Sequence, residues 1–172
     1  VRTLVVALLA GLLFQPANAS TVSPISVPLS KVVSESQLIV TGSVERITIL
    51  RPPDGTKSDP GLRYFEVRID EVLKCADREA ARNLRGKIVP VFDPRDMFYH
   101  EHAEMIAAGV ISFVDRRYPT KAGKIAAGDQ LIFFIAAPQK SGKSPIAGAY
   151  FLTCGQAYDT LAIKSAVRKR LK

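Results

Sequence analysis

Tyr64-Phe65-Glu66-Val67-Arg68-Ile69-Asp70-Glu71-Val72-Leu73-Lys74 alternates apolar and charged residues with a period of two. Phe65, Val67 and Ile69 share one face and Glu66, Arg68 and Asp70 the other, the pattern of a β-strand with one side on a core and one in water. Upstream, Leu38, Val40, Gly42 and Val44 repeat this period, but Ile47 and Ile49 fall on the opposite parity. That switch predicts a bulge or bend between Gly42 and Arg46, as in a strand that curls. Downstream, the nearly continuous apolar run Leu131 to Ala137 is too apolar for a strand with a wet face and predicts one covered on both sides.

Around these three segments the punctuation is dense. Pro52, Pro53, Asp54, Gly55, Asp59 and Pro60 mark a loop over 51–61, Asp115 to Lys124 reads as a charged loop, and Lys140 to Ser144 as a polar connection. Ile88 to Phe92 reads as a strand in which Pro90 requires an edge or bulge position. Val110 to Val114 and Ile146 to Leu152 are also strand-like. Helices are predicted to be short. Ser30 is placed to cap a turn through Val32 and Val33, and Asp77 a helix through Leu84 that Gly86 ends. Residues 93–109 read as an insertion with a helix from His100 to Ala108, and Asp159 or Thr160 as the cap of a C-terminal helix through Leu171. Short strands, Pro- and Gly-rich loops and brief helices predict an all-β or β-rich α+β fold, a small closed β-barrel rather than a βαβ sheet.

Residues 1–19 read as a signal peptide: Arg2 is the positive start, Thr3 to Phe14 the apolar stretch, and Pro16-Ala17-Asn18-Ala19 a small-x-small cleavage pattern. The remainder, residues 20–172, has the length of one domain, is expected in the periplasm or secreted, and contains no transmembrane run. The chain has 24 Lys and Arg against 16 Asp and Glu, a net charge of +8. Such a balance favours anionic partners, for an exported protein surface polymers, lipid head groups or acidic proteins rather than nucleic acid, while solubility alone is the alternative reading, since positive charge is scattered through most of the chain.

Three segments together resemble the strand blocks of netrin-like and tissue-inhibitor-of-metalloproteinase-like OB-fold domains: Ser36 to Val44, Tyr64 to Lys74, and Ala127-Gly128-Asp129-Gln130-Leu131-Ile132-Phe133-Phe134. Bacterial exported proteins carry similar blocks. The resemblance covers about half of the region after the leader and rests on strand patterns. It implies a secreted five-stranded Greek-key barrel, OB-like, that acts by binding other proteins. The protease inhibitors of that family chelate zinc through an N-terminal Cys, whereas Ser20 follows the expected cleavage point here, so the inhibitory mechanism is carried over to no residue.

The two cysteines, Cys75 and Cys154, leave two readings: export permits a disulfide between them, and two buried free thiols are the alternative. The resemblance favours the bond, because related exported domains have a Cys after their last strands. His100 and His102 are the only histidines. With Glu104, and with Asp93, Asp96 and Glu101 nearby, they are candidate ligands for a divalent metal if the segment is extended. In a helix their rings diverge and only His100 and Glu104 share a face. Ser141-Gly142-Lys143-Ser144 is not a phosphate loop, since Pro145 breaks the helix that must follow. No Gly-x-Ser-x-Gly elbow is present, and the balance of motifs weighs against an enzyme and against any obligatory cofactor. The C-terminal segment sets Lys164, Arg168, Lys169 and Arg170 beside Leu161, Ile163, Val167 and Leu171, a basic amphipathic end. The sequence therefore favours an exported, non-catalytic binding module for a protein or anionic cell-surface partner, with an exported metal-binding protein as the alternative.

Overall fold

The computed structural model of the chain describes residues 24–51, 61–108, 114–136, 146 and 148–172. The leader expected at 1–19, the centre of the loop at 52–60, most of the strand expected at 110–114 and the connection at 140–144 lie outside the described residues. The elements in chain order are β1 (Ile25–Ser26), α1 (Leu29–Glu35), β2 (Leu38–Leu50), β3 (Leu62–Cys75), α2 (Arg78–Leu84), β4 (Ile88–Phe92), α3 (Pro94–Glu101) and α4 (Ala103–Ala107). There follow β5 (Arg116–Arg117), β6 (Gln130–Ile135), β7 (Tyr150–Phe151), β8 (Tyr158–Thr160), a 3-10 turn over Leu161–Ile163, and α5 (Lys164–Arg170).

The protein is strand-rich, with a six-stranded mixed sheet in the order β7-β4-β3-β2-β6-β8 and a two-stranded parallel pair of β1 with β5. The antiparallel β2–β3 ribbon, registered from Leu38 opposite Cys75 to Leu50 opposite Leu62, is its spine. Its register shifts at Ile39/Val40, Thr41/Gly42 and Val44/Arg46. The last shift is the parity switch expected between Gly42 and Arg46, and it keeps Val44 and then Ile47 against the core. Gly42 is required by crowding: a Cβ there would lie 2.5 Å from the Arg68 carbonyl oxygen and 2.7 Å from Val67 Cγ1.

β6 is flanked by β2 and β8, and Leu131 to Ile135 are all buried, as the apolar run demands. Ile39, Val40, Phe65, Val67, Ile69 and Val91 meet them in the main core. α1 contributes Val32 and Val33 and α5 contributes Val167 to the same cluster. Each such large apolar side chain, fully buried, contributes about 1.5–3 kcal/mol. A smaller cluster of Leu62, Phe92 and Phe151, with Tyr64 and Met97 packed on it, fixes α3 to the far end of the ribbon. β4 pairs with β3 along its length but with β7 only at Val91 and Phe92, so Pro90 faces no second strand among the described residues.

Residues 150–160 hydrogen-bond in two directions. Phe151 pairs with Phe92 of β4, and the Leu152 N–H donates to the Phe92 carbonyl at 2.9 Å. Leu152 also bridges Ile135, and the Thr153 N–H donates to the Phe134 carbonyl at 2.9 Å.

Several helix boundaries differ from the sequence expectation. Asp77 does cap α2, accepting from the N–H groups of Glu79 and Ala80, and Gly86 leaves it at φ 78°. Ser30 lies inside the first turn of α1, whose N-cap is Pro28. The helix expected from His100 begins at Pro94, because Asp93 caps it by accepting from the Arg95 N–H at 2.8 Å, and it breaks at His102. Asp159 and Thr160 are strand residues of β8 rather than side-chain caps, and no side-chain cap bond starts the 3-10 turn.

Candidate basic cleft

β3 leaves the core at its Asp70-Glu71-Val72 segment and lies between two helices that carry basic side chains. α2 follows β3 directly. Its partly buried Leu84 packs on the core, which turns Arg78 and Arg82 outward one helical turn apart, and Arg85 follows, exposed, at the C-cap. The turn after it is tied back to β3, with the Gly86 N–H donating to the Ile69 carbonyl at 2.8 Å and the Ile69 N–H to the Lys87 carbonyl at 2.9 Å. On the other side, buried Val167 anchors α5, so that Arg168, Lys169 and Arg170 project from its last turn, where the helix dipole favours cations.

Between the two helices is an open cleft of about 600 Å³ lined by Thr41, Asp70, Glu71, Arg82, Arg85 and Lys164, with Val72, Ala81 and Leu161. A second depression, about 580 Å³, runs along α5 past Leu161, Lys164, Arg168, Lys169 and Lys172. Glu71 reaches α5 with both oxygens: Oε1 is 2.5 Å from Arg168 Nη2, and Oε2 pairs with Lys164. Hydrogen bonding from Lys164, with a lesser contribution from Arg168, holds the Glu71 carboxyl below its ordinary range against the opposing effect of burial. Asp70 accepts from the Ser43 hydroxyl at 3.2 Å. Arg82, Arg85, Lys169 and Lys172 are exposed and make no ion pair among the described residues. Such an array attracts anions.

Of the basic residues expected from sequence, Lys164, Arg168 and Lys169 line these depressions, while Arg170 turns back to the Ala166 carbonyl at 3.1 Å. The contribution of Arg82 and Arg85 was missed. Their spacing on one face of a helix with an evident Asp77 cap was the available signal.

The other candidates lie elsewhere. His100 is in the last turn of α3, His102 at the break and Glu104 in the first turn of α4. His102 stacks on Phe98 with 4.4 Å between ring centroids, its Nδ1 3.0 Å from the Phe98 carbonyl. Among the described residues no three His, Cys, Asp or Glu side chains are grouped to hold a metal ion. Asp96 pairs with Arg63 at 2.8 Å. Asp93, named from sequence among the nearby candidate metal ligands, is buried and accepts from the N–H groups of Arg95 and Gln156, with burial raising its pKa. Cys75 is half-buried at the end of β3 and Cys154 is buried. Both stand as free thiols. Burial pushes the Cys154 thiol up to about 11.

A second polar cluster, invisible to sequence motifs, joins β5 and the residues beside it to the segment around Gly155. Asp115 pairs with Arg117, and its other oxygen faces Arg95 Nε at 3.5 Å without a hydrogen bond. Gly155 passes beside them: a Cβ there would lie 2.6 Å from Arg95 Cδ and 3.1 Å from the Arg116 carbonyl oxygen. These contacts fasten the fold.

No protein-family model matches the chain, and no curated protein matches it significantly. No helix among the described residues is long and apolar enough to cross a membrane.

Proposed function

We infer that this is an exported, non-catalytic binding module of OB-like fold whose α2–β3–α5 face engages an anionic protein or cell-surface polymer. The observation that carries the reading is the clustering of Arg82, Arg85, Lys169 and Lys172, with no ion pair among the described residues, along two adjoining depressions. Cations clustered on one face steer anionic partners.

The OB-like barrel is supported by the pairing pattern. Reading β2, β3, β4 and β6 as the first four strands and 150–160 as the fifth, the first pairs with the second and fourth, and the second with the third. The fifth runs parallel to the third at Phe151 and antiparallel to the fourth at Leu152 and Tyr158–Thr160. That order returns to its starting strand, as a closed Greek-key barrel does. The leader pattern at residues 1–19 supports export.

Retention on a sulfated-polysaccharide resin tests the function. Arg82→Gln/Arg85→Gln/Lys169→Gln is compared with Lys31→Gln/Arg51→Gln/Lys124→Gln, which removes the same charge from other surfaces. The reading requires the first variant to elute at clearly lower salt than the second. Equal elution of the two would mean that net charge, and not this face, governs binding.

A further inference from the structure

Glu71 sits where the two basic depressions adjoin, and among the described residues it is the only carboxylate paired with α5. Resting on the anion-binding reading above, we propose that the α2–β3–α5 face is one groove for a linear chain bearing phosphate or sulfate groups, with Glu71 as an internal counter-ion that the chain displaces from Lys164 and Arg168.

The continuity of the groove comes from shared walls. Leu161 and Lys164 line both depressions, so a path leads from Arg82 and Arg85 past Lys164 and Arg168 to Lys169 and Lys172. A single small anion uses one end of this path. A chain with regularly repeated charge uses all of it, and gains from each cation it neutralises. A folded acidic protein presents its carboxylates on a convex surface and reaches an open cleft of this kind less completely.

Glu71 is suited to give way. Its side chain is 38 % exposed and its two partners are 31 % and 56 % exposed, so neither pair is locked by burial. The groups around it are Thr41 opposite on β2, Asp70 beside it on β3 and held by Ser43, Arg82 of α2 and Arg85 at its C-cap across the cleft, and Lys164 and Arg168 of α5. Cations therefore flank it from both helices and an anionic chain meets attraction on either side. Once displaced, Glu71 regains a cation from solution, so the native protein releases fewer net ions on binding than a protein lacking that carboxylate.

The experiment titrates wild type, Glu71→Gln and Glu71→Asp with inorganic polyphosphate over a series of salt concentrations, beside inorganic phosphate and phosphatidylglycerol vesicles. Thermal melts verify that the variants are folded. Glu71→Gln is expected to bind polyphosphate about three- to tenfold tighter than wild type. Its salt dependence is expected to steepen by about one unit of logarithmic slope, with Glu71→Asp following wild type. Inorganic phosphate is expected to bind at least about a hundredfold more weakly than the chain. Wild-type binding that Glu71→Gln leaves unchanged or weakens overturns the counter-ion role while leaving the basic face intact. Inorganic phosphate matching the chain, or vesicles binding where polyphosphate does not, overturns the linear-chain ligand. Absence of binding to every probe by both wild type and Glu71→Gln overturns the inference together with the reading beneath it.

Discussion

Tyr118 donates its phenolic hydrogen to Asp159 Oδ2 at 2.7 Å, and both residues are buried. The other oxygen of Asp159 accepts from the N–H groups of Lys121 at 3.1 Å and Thr160 at 2.8 Å. One carboxylate thus joins the 116–121 segment to β8, immediately before the 3-10 turn that aims α5 at the basic cleft. Tyr118→Phe removes a donor to a buried charge, and is expected to lower stability by about 1–3 kcal/mol in urea unfolding. An unchanged midpoint would show that the hydroxyl contributes nothing net.

Gly42 meets the Arg68 carbonyl oxygen and Val67 Cγ1 at distances that no Cβ tolerates. Because one of these neighbours is backbone within the β2–β3 spine, relief requires the strands to part. Gly42→Ala is expected to cost about 1–3 kcal/mol, read as a lowered thermal midpoint.

Lys74 Nζ donates to the carbonyls of Val33 at 2.9 Å, Ser34 at 3.3 Å and Ser36 at 2.5 Å. The ammonium caps the C-terminal end of α1, whose last carbonyls lack helical partners. Lys74→Met keeps much of the stem and removes the cap. It is expected to cost about 1–3 kcal/mol and to speed amide exchange in α1 before the sheet is affected.

Cys154 is buried and its thiol is raised to about 11, whereas Cys75 is half-buried. At pH 8 a thiol reagent is expected to label Cys75 in the native protein and Cys154 only after denaturation. The linkage follows from the raised value. Above about pH 9 the unfolded chain ionises this thiol while the folded chain does not. The stability it contributes is therefore complete below that pH and declines as pH rises towards about 11. Cys154→Ser would flatten that part of the stability profile. Equal labelling of both cysteines in the native state would contradict the burial.

Much of the architecture is legible in the sequence because it rests on local periodicity. The alternation Phe65-Val67-Ile69 marks β3, the run Leu131 to Ile135 marks the covered β6, and the parity switch between Val44 and Ile47 marks the bulge. What fails to show is what depends on a distant partner. Asp159 has the local appearance of a helix cap, yet its bond is to Tyr118, 41 residues away. Asp93 has the local look of a loop acid, but it is buried and accepts from the N–H of Gln156, 63 residues on. The site is half legible: the basic end at Lys164 to Arg170 is plain, but only folding brings α2 beside Glu71 and supplies Arg82 and Arg85.

The proposed function places bound anions along the α2–β3–α5 face. Its most direct test is the mapping of nuclear magnetic resonance shifts on residues 20–172 during titration with inorganic polyphosphate, following backbone amides and arginine Nε signals. The account expects the largest shifts at Arg82, Arg85, Glu71, Lys164, Arg168 and Lys169, with Arg46 and Lys124 unmoved. Shifts spread over all cationic surfaces, or centred on the α3–α4 region around His100 and His102, would contradict it.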